Sequence, residues 1–240
     1  MKSKGFTLVE LLIAIAVGLI IMAAVYGVMN TAQQSSSSID RKTLTQQDTR
    51  AVMNLMAMEI RMASFNRRNN SAVWATVPSA ASVPACTQMG LAAAVTARKG
   101  IQLAGDNEIL IAMDLNADNI IGPDPADPTK AAANEYIYYN LNNQGIIRNV
   151  NCGGNQTILG GAGSSTLVVN PSTSPMFTYY NEADQDISAV VKSAPNTNIP
   201  LIRRIRITIV AKVEKQGSQF EVSPITYTTD VLVKNHVLSP

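Results

Sequence analysis

Histidine and cysteine are nearly missing: His236 is the one histidine, and Cys86 and Cys152 are the two cysteines, in 240 residues. No Cys-x-x-Cys occurs, so a structural zinc site has too few ligands to draw on. A nucleophile–base or acid–base set with histidine as the base has the same difficulty, and an enzyme is not expected. Charge is also sparse, at 15% of residues. Removing Lys2 and Lys4 from the 19 basic side chains leaves 17 against 17 acidic ones. A balanced chain offers no basic footprint, so nucleic acid is not expected as a partner. Two cysteines in an exported chain are most simply a disulfide between Cys86 and Cys152. That bond would close a loop of about 67 residues and contribute roughly 4 kcal/mol in the chain-entropy model. Two buried free thiols are the alternative.

Apolar runs, by contrast, are abundant at the N-terminus. Met1 to Met29 reads MKSKGFTLVELLIAIAVGLIIMAAVYGVM, with Glu10 as the one charge after Lys4. A helix from Phe6 to Met29 would be about 36 Å long, enough to cross a hydrocarbon core of about 30 Å. A cleavable secretory signal carries its small residue after the apolar core, whereas Gly5 precedes it. A plain membrane anchor fits the length but leaves Glu10 without a counter-charge, which is costly near lipid. If the chain is cut between Gly5 and Phe6, the new amine of Phe6 lies four residues from Glu10 on one helical face. Lys2 and Lys4 on the short side orient the helix with the leader in the cytoplasm and the remainder exported.

Lys-Gly-Phe-Thr-Leu-Val-Glu over residues 4–10, followed by an apolar helix, resembles the class III signal of type IV pilins and type II secretion pseudopilins. The stretch Gln46–Asn66 (QQDTRAVMNLMAMEIRMASFN) is similar to PilW-type minor pilins. The resemblance implies that a prepilin peptidase cuts after Gly5 and that Phe6 is then N-methylated. It implies that Glu10 guides docking onto a growing filament. The implied partners are the peptidase, the inner membrane, and other pilins and minor pilins met through the N-terminal helix. The implied location is the inner membrane, single-pass, before assembly and the pilus or cell surface afterwards. Adhesion and twitching motility are among the roles such pili serve. Gly27 stands where many major pilins have a helix-kinking proline, so softening there should be weaker. A type II secretion pseudopilin of the GspJ type shares the same plan, and a membrane-anchored binding module is a further alternative.

Beyond the anchor, Asn30–Ser38 is polar and marks the exit from the membrane. Val52, Met56, Ile60 and Ala63 then recur at helical spacing, predicting one helix from Phe6 to about Phe65. Its methionines, Met53, Met56, Met58 and Met62, read as core packing or as a soft binding groove. Ser71–Lys99 contains Pro78 and Pro84 and is expected to connect over the domain surface. Strands are predicted over Glu108–Met113, Glu135–Leu141, Ile146–Val150, Thr166–Asn170, Met176–Asn181, Arg204–Lys212 and Phe220–Val233. Asn142–Gly145 and Lys215–Ser218 are turns between strands, and Gly153–Gly163 is a flexible loop. Arg203, Arg204 and Arg206 are an anion site or a wet strand face. Asn181–Asp186 is an acidic turn facing solvent.

Asp114, Asn116 and Asp118 reproduce the D-x-N-x-D opening of a calcium loop, with oxygen ligands at alternate positions. Pro125 stands where the closing glutamate belongs, and Asp124 or Asp127 would have to substitute. A plain solvated turn explains the same residues. Calcium is the one cofactor the sequence suggests. The expected architecture is α+β and pilin-like: a leader over 1–5, a membrane and assembly helix over 6–29, an amphipathic continuation over 30–66, and an exported β-rich domain over 67–240. In it the long helix packs on an antiparallel sheet.

Overall fold

The computed structural model describes residues 5–78, 94–122, 134–213 and 223–236. Helix α1 runs without interruption from Leu8 to Arg61, 54 residues or about 81 Å. The first half needs no face, because it is apolar all round. The polar middle stays helical because its hydroxyls fold back on the backbone. Thr31 Oγ1 donates to Gly27 O at 3.0 Å, Ser37 and Ser38 both donate to Gln34 O at 2.9 Å, and Thr43 donates to Ile39 O at 3.0 Å. The last turns are amphipathic: Thr45, Thr49, Val52, Met53, Met56 and Ile60 are buried. The helix stops where Ser64 takes φ 64 and its N–H turns to Ala112 O at 3.0 Å. The helical hydrogen-bond pattern continues through Gly27.

The strands form two antiparallel sheets where one was expected. The first is a meander of β1 (Ile101–Ala104), β2 (Glu108–Ala112), β3 (Tyr136–Asn142), β4 (Gly145–Val150) and β5 (Asn155–Gly160). The turn between β3 and β4 holds Asn143 at φ 49 and Gln144 at φ 59, the left-handed pair a two-residue hairpin demands. The second sheet contains β6 (Thr166–Val168), β7 (Phe177–Tyr180), β8 (Arg204–Val213) and β9 (Ile225–Leu232). There β8 is central, with β6 and β7 along one side and β9 along the other. Two short helices, α2 (Ser188–Ser193) and α3 (Pro195–Asn198), link β7 to β8.

One core joins α1 to both sheets. Val52, Met53, Met56 and Ile60 meet Ile109, Ile111 and Tyr139 of the first sheet and Ile205, Ile207, Ile209 and Val231 of the second. On β9, Tyr227, Thr229, Val231 and Val233 share the inner face, as their alternation requires. A smaller core lies on the far face of the first sheet, where Val73, Trp74 and Val77 cover Leu110, Tyr136, Tyr138 and Cys152.

Several expectations are corrected. The segment after α1 is not merely superficial, because Trp74 is a lid on the smaller core. Part of the glycine-rich stretch is strand β5, made possible by Gly160, whose φ of +73 ends it. Among the four methionines Met58 is exposed, so the stripe is core packing at Met53 and Met56 only and part-packing at Met62. Thr208 on β8, unlike the arginines that precede it, is buried, with Asn170 donating to its carbonyl at 2.8 Å. The turn Lys215–Ser218 lies outside the described residues, as do Pro84, Asp124, Pro125 and Asp127.

Candidate functional site

The helix start is built by a reciprocal cap. Thr7 is extended and is the N-cap. Its N–H and hydroxyl each donate to Glu10 Oε2 at 2.9 Å, and Glu10 N–H donates to Thr7 Oγ1 at 3.3 Å. The spelling Thr-x-x-Glu is that of a capping box. Phe6 therefore lies ahead of the helix, not in its first turn, and the helix starts two residues later than expected. One carboxylate oxygen of Glu10 is committed to Thr7, and Oε1, on an exposed side chain, accepts no hydrogen bond among the described residues. Phe6 is 93% exposed, and a Cβ on Gly5 would meet nothing within 4 Å. Nothing within the described chain requires glycine at position 5.

From Leu8 to Leu44 no residue of α1 is buried, although the apolar stretch is long and apolar enough to cross a membrane. That bare length is about 55 Å. The domain first takes hold at Thr45, whose Oγ1 hydrogen-bonds Thr166 Oγ1 at 2.8 Å in a buried contact.

Two polar clamps then fix the helix to the domain. Arg148 on β4 donates to both carboxylate oxygens of Glu59, at 2.6 and 3.1 Å, and Tyr139 OH donates to the same carboxylate. Burial together with the neighbouring carboxylate pushes the Tyr139 hydroxyl far above its ordinary range. At the helix end, Ser64 Oγ bonds His236 Nδ1 at 2.7 Å and accepts from Gly100 N–H at 3.1 Å. His236 Nε2 meets Ile199 O at 2.8 Å, so the ring is neutral with its proton on Nε2. Burial pulls its pKa down to about 4. Gly100 has no room for a side chain, since a Cβ would run into the backbone of Ser64 and Ala112. Neither clamp is legible in sequence, because their partners are 89 and 172 residues apart.

In the acidic loop one of the three candidate ligands is buried and two are exposed. Asp114 is buried, its Oδ1 accepting from Ala117 N–H at 2.7 Å and its Oδ2 without a partner. Asn116 and Asp118 are exposed and bonded to each other: Asn116 Nδ2 donates to Asp118 Oδ2 at 2.8 Å, and Asp118 N–H to Asn116 Oδ1 at 2.9 Å. Among the described residues no three carboxylate, histidine or cysteine side chains are grouped to hold a metal. The loop is held instead by buried Glu135, which accepts from Leu115, Asn116 and Gly122 N–H at 2.9, 3.1 and 3.2 Å. Burial raises its pKa, and those three N–H donors oppose the rise.

The arginines of β8 are engaged in ion pairs. Arg204 pairs with Asp184 and Asp230 and lies 3.8 Å over the Tyr180 ring, and Arg206 pairs with Asp230 at 2.9 Å. Arg206 foremost, with Arg204, holds the Asp230 carboxyl below its usual range. Arg203 donates to Pro200 O and Ile202 O at 2.8 and 3.0 Å. No described cysteine is a free thiol; Cys152 is buried, and Cys86 lies outside the described residues.

No curated protein and no solved structure matches the chain. Residues 1–26 match the prokaryotic N-terminal methylation motif, and residues 39–228 match the family described as prepilin peptidase-dependent protein B.

Proposed function

The chain belongs to the prepilin peptidase-dependent protein B family, and from that premise we propose that it is a minor pilin, a subunit that primes or caps a type IV pilus. It is a prepilin-like protein with an N-terminal methylation motif and an apolar anchor of the kind prepilins hold in the inner membrane. The proposal goes further in assigning a filament. Its main support is the bare length of α1 joined to a rigid domain: a rod that contributes nothing to its own core is ready to be buried among other rods. Glu10 is the docking carboxylate. The peptidase cuts between Gly5 and Phe6, and the new, N-methylated amine of Phe6 or that of a neighbour reaches Oε1 of Glu10. The other partners are further pilins, met helix to helix. The subunit is structural and not an enzyme, a reading supported by its one histidine being buried and neutral between Ser64 and Ile199.

The test is the mass and N-terminal residue of the mature protein, together with its presence in sheared filaments. An N-methylated phenylalanine at position 6, in a filament fraction, is expected. A mature N-terminus beyond residue 25, or filaments that never contain the chain, would overturn the reading. Recovery in a secretion apparatus without a pilus would move the chain to the pseudopilins. In the same preparation Cys86 and Cys152 are expected to be paired, so thiol titration of the denatured, unreduced chain should find no free thiol.

A further inference from the structure

The open edge of the second sheet is β9. Val233 N–H donates to Arg203 O at 3.0 Å, and the register with β8 is continuous from Arg204↔Leu232 to Ala211↔Ile225. In an antiparallel pair the bonded residues alternate, so Ile225, Tyr227, Thr229 and Val231 bond β8. The N–H and C=O groups of Thr226, Thr228, Asp230 and Leu232 consequently point outward. Among the described residues none of them has a backbone partner. All four residues are exposed.

The other edges are capped or interrupted. On β7, Phe177 N–H is taken by Asp106 O at 2.8 Å, Tyr179 N–H by Ser188 Oγ at 2.9 Å, and Tyr179 O by Ile187 N–H at 2.9 Å. On β1, Arg98 Nη1 caps Gln102 O at 2.8 Å. On β5, an irregularity in register against Ile146 and Ile147 breaks the edge. An exposed edge normally carries a guard such as a lysine, an inward charge or a bulge. β9 has no bulge, and its one charge, Asp230, is neutralised by Arg204 and Arg206.

We propose that the β9 edge binds an extended, uncharged segment of a different exported subunit, which adds as a further strand to the second sheet. A second copy of this chain does not fit. Two copies joined antiparallel at the same edge are related by a two-fold axis perpendicular to the sheet. Because α1 lies along the inner face of that sheet, the rotation reverses α1 and sends the two apolar N-termini in opposite directions, which one membrane cannot hold. Head-to-tail joining needs a second regular edge, whereas β7 and β1 are capped and β5 is interrupted. Main-chain hydrogen bonds to the outward groups of residues 226–232 would supply affinity. Side chains alternating with them would continue the face of Tyr227 and Val231.

This docking rests on the subunit reading above. The test uses the full chain in detergent, co-expressed with the prepilin-type subunits encoded beside it. In the isolated chain the amides of Thr226, Thr228, Asp230 and Leu232 should exchange rapidly with deuterium while Tyr227, Thr229 and Val231 are protected. In the complex the four outward amides should slow at least about tenfold. Thr228→Pro removes an outward donor and no intrachain bond, so it should reduce complex recovery at least about tenfold, with Thr228→Ala behaving as wild type. A complex whose outward amides still exchange freely would overturn the docking. So would normal assembly of Thr228→Pro, a Thr228→Cys homodimer cross-linked through that position, or the formation of no complex. If the wild-type chain never enters a filament, the subunit reading falls; if wild type and Thr228→Pro enter equally, only the docking falls.

Discussion

The two halves of α1 obey different rules. From Thr45 to Arg61 its inward residues are buried, and Glu59 is bound by Arg148 and Tyr139. From Leu8 to Leu44 the same helix leaves Leu12, Ile20, Met22 and Tyr26 in the open. Burying such side chains is worth about 1.5–3 kcal/mol each, so this exposure is tolerable only with a membrane or other helices around it. One half of the helix is selected for the fold, the other for what surrounds the fold. Substitutions in the two halves should accordingly fail in different assays.

The largest separation is expected at Glu10. Glu10→Gln should cut incorporation into filaments at least about tenfold, since a docking ion pair in an apolar bundle is lost. The thermal midpoint of the domain should not move; a lowered midpoint would erase the distinction between the halves. Glu59→Ala should do the opposite. It leaves Arg148 and Tyr139 OH buried without their acceptor and should cost about 3 kcal/mol, read by denaturant titration.

Acid should loosen the second clamp. The pKa of His236 lies at about 4 in the folded chain, against roughly 6.5 when unfolded. The unfolded chain therefore binds more protons between those values, and stability falls as pH drops from about 6.5 to 4, by up to about 3 kcal/mol. Above that window this group adds no pH dependence. His236→Gln should flatten the slope, and a stability profile that is level down to pH 4 in the wild type would contradict the neutral ring. Met58 gives the smallest effect. Met58→Ala should change stability by less than about 0.5 kcal/mol while Met56→Ala costs about 3, because Met58 is 58% exposed and Met56 wholly buried.

The sequence disclosed what is local. The helix followed from the spacing of Val52, Met56, Ile60 and Ala63, and the β3–β4 hairpin from its turn residues. The strand runs over Arg204–Lys212 and Phe220–Val233 also stood out. The sequence could not disclose which strands share a sheet, because alternation says nothing about partners, and so two sheets read as one. The glycines around β5 masked a strand whose inward contribution is Leu159. Glu135 looked like the start of a strand, and its work on the loop at Leu115–Gly122 depends on a fold that returns it there. The D-x-N-x-D spelling was visible, but Asp114 faces inward while its neighbours face water. The cap spelling of Thr7 and Glu10 places the helix start at Leu8, two residues after the start expected from the apolar run.

The grip on α1 also has a mechanical side. If the bare rod is pulled along its axis, the load reaches the head through contacts arranged beside one another: Thr45 on Thr166, Glu59 on Arg148, Ser64 on His236. Bonds set out in that way resist sliding together instead of opening singly. The head should therefore withstand far more tension along the rod than when peeled away sideways.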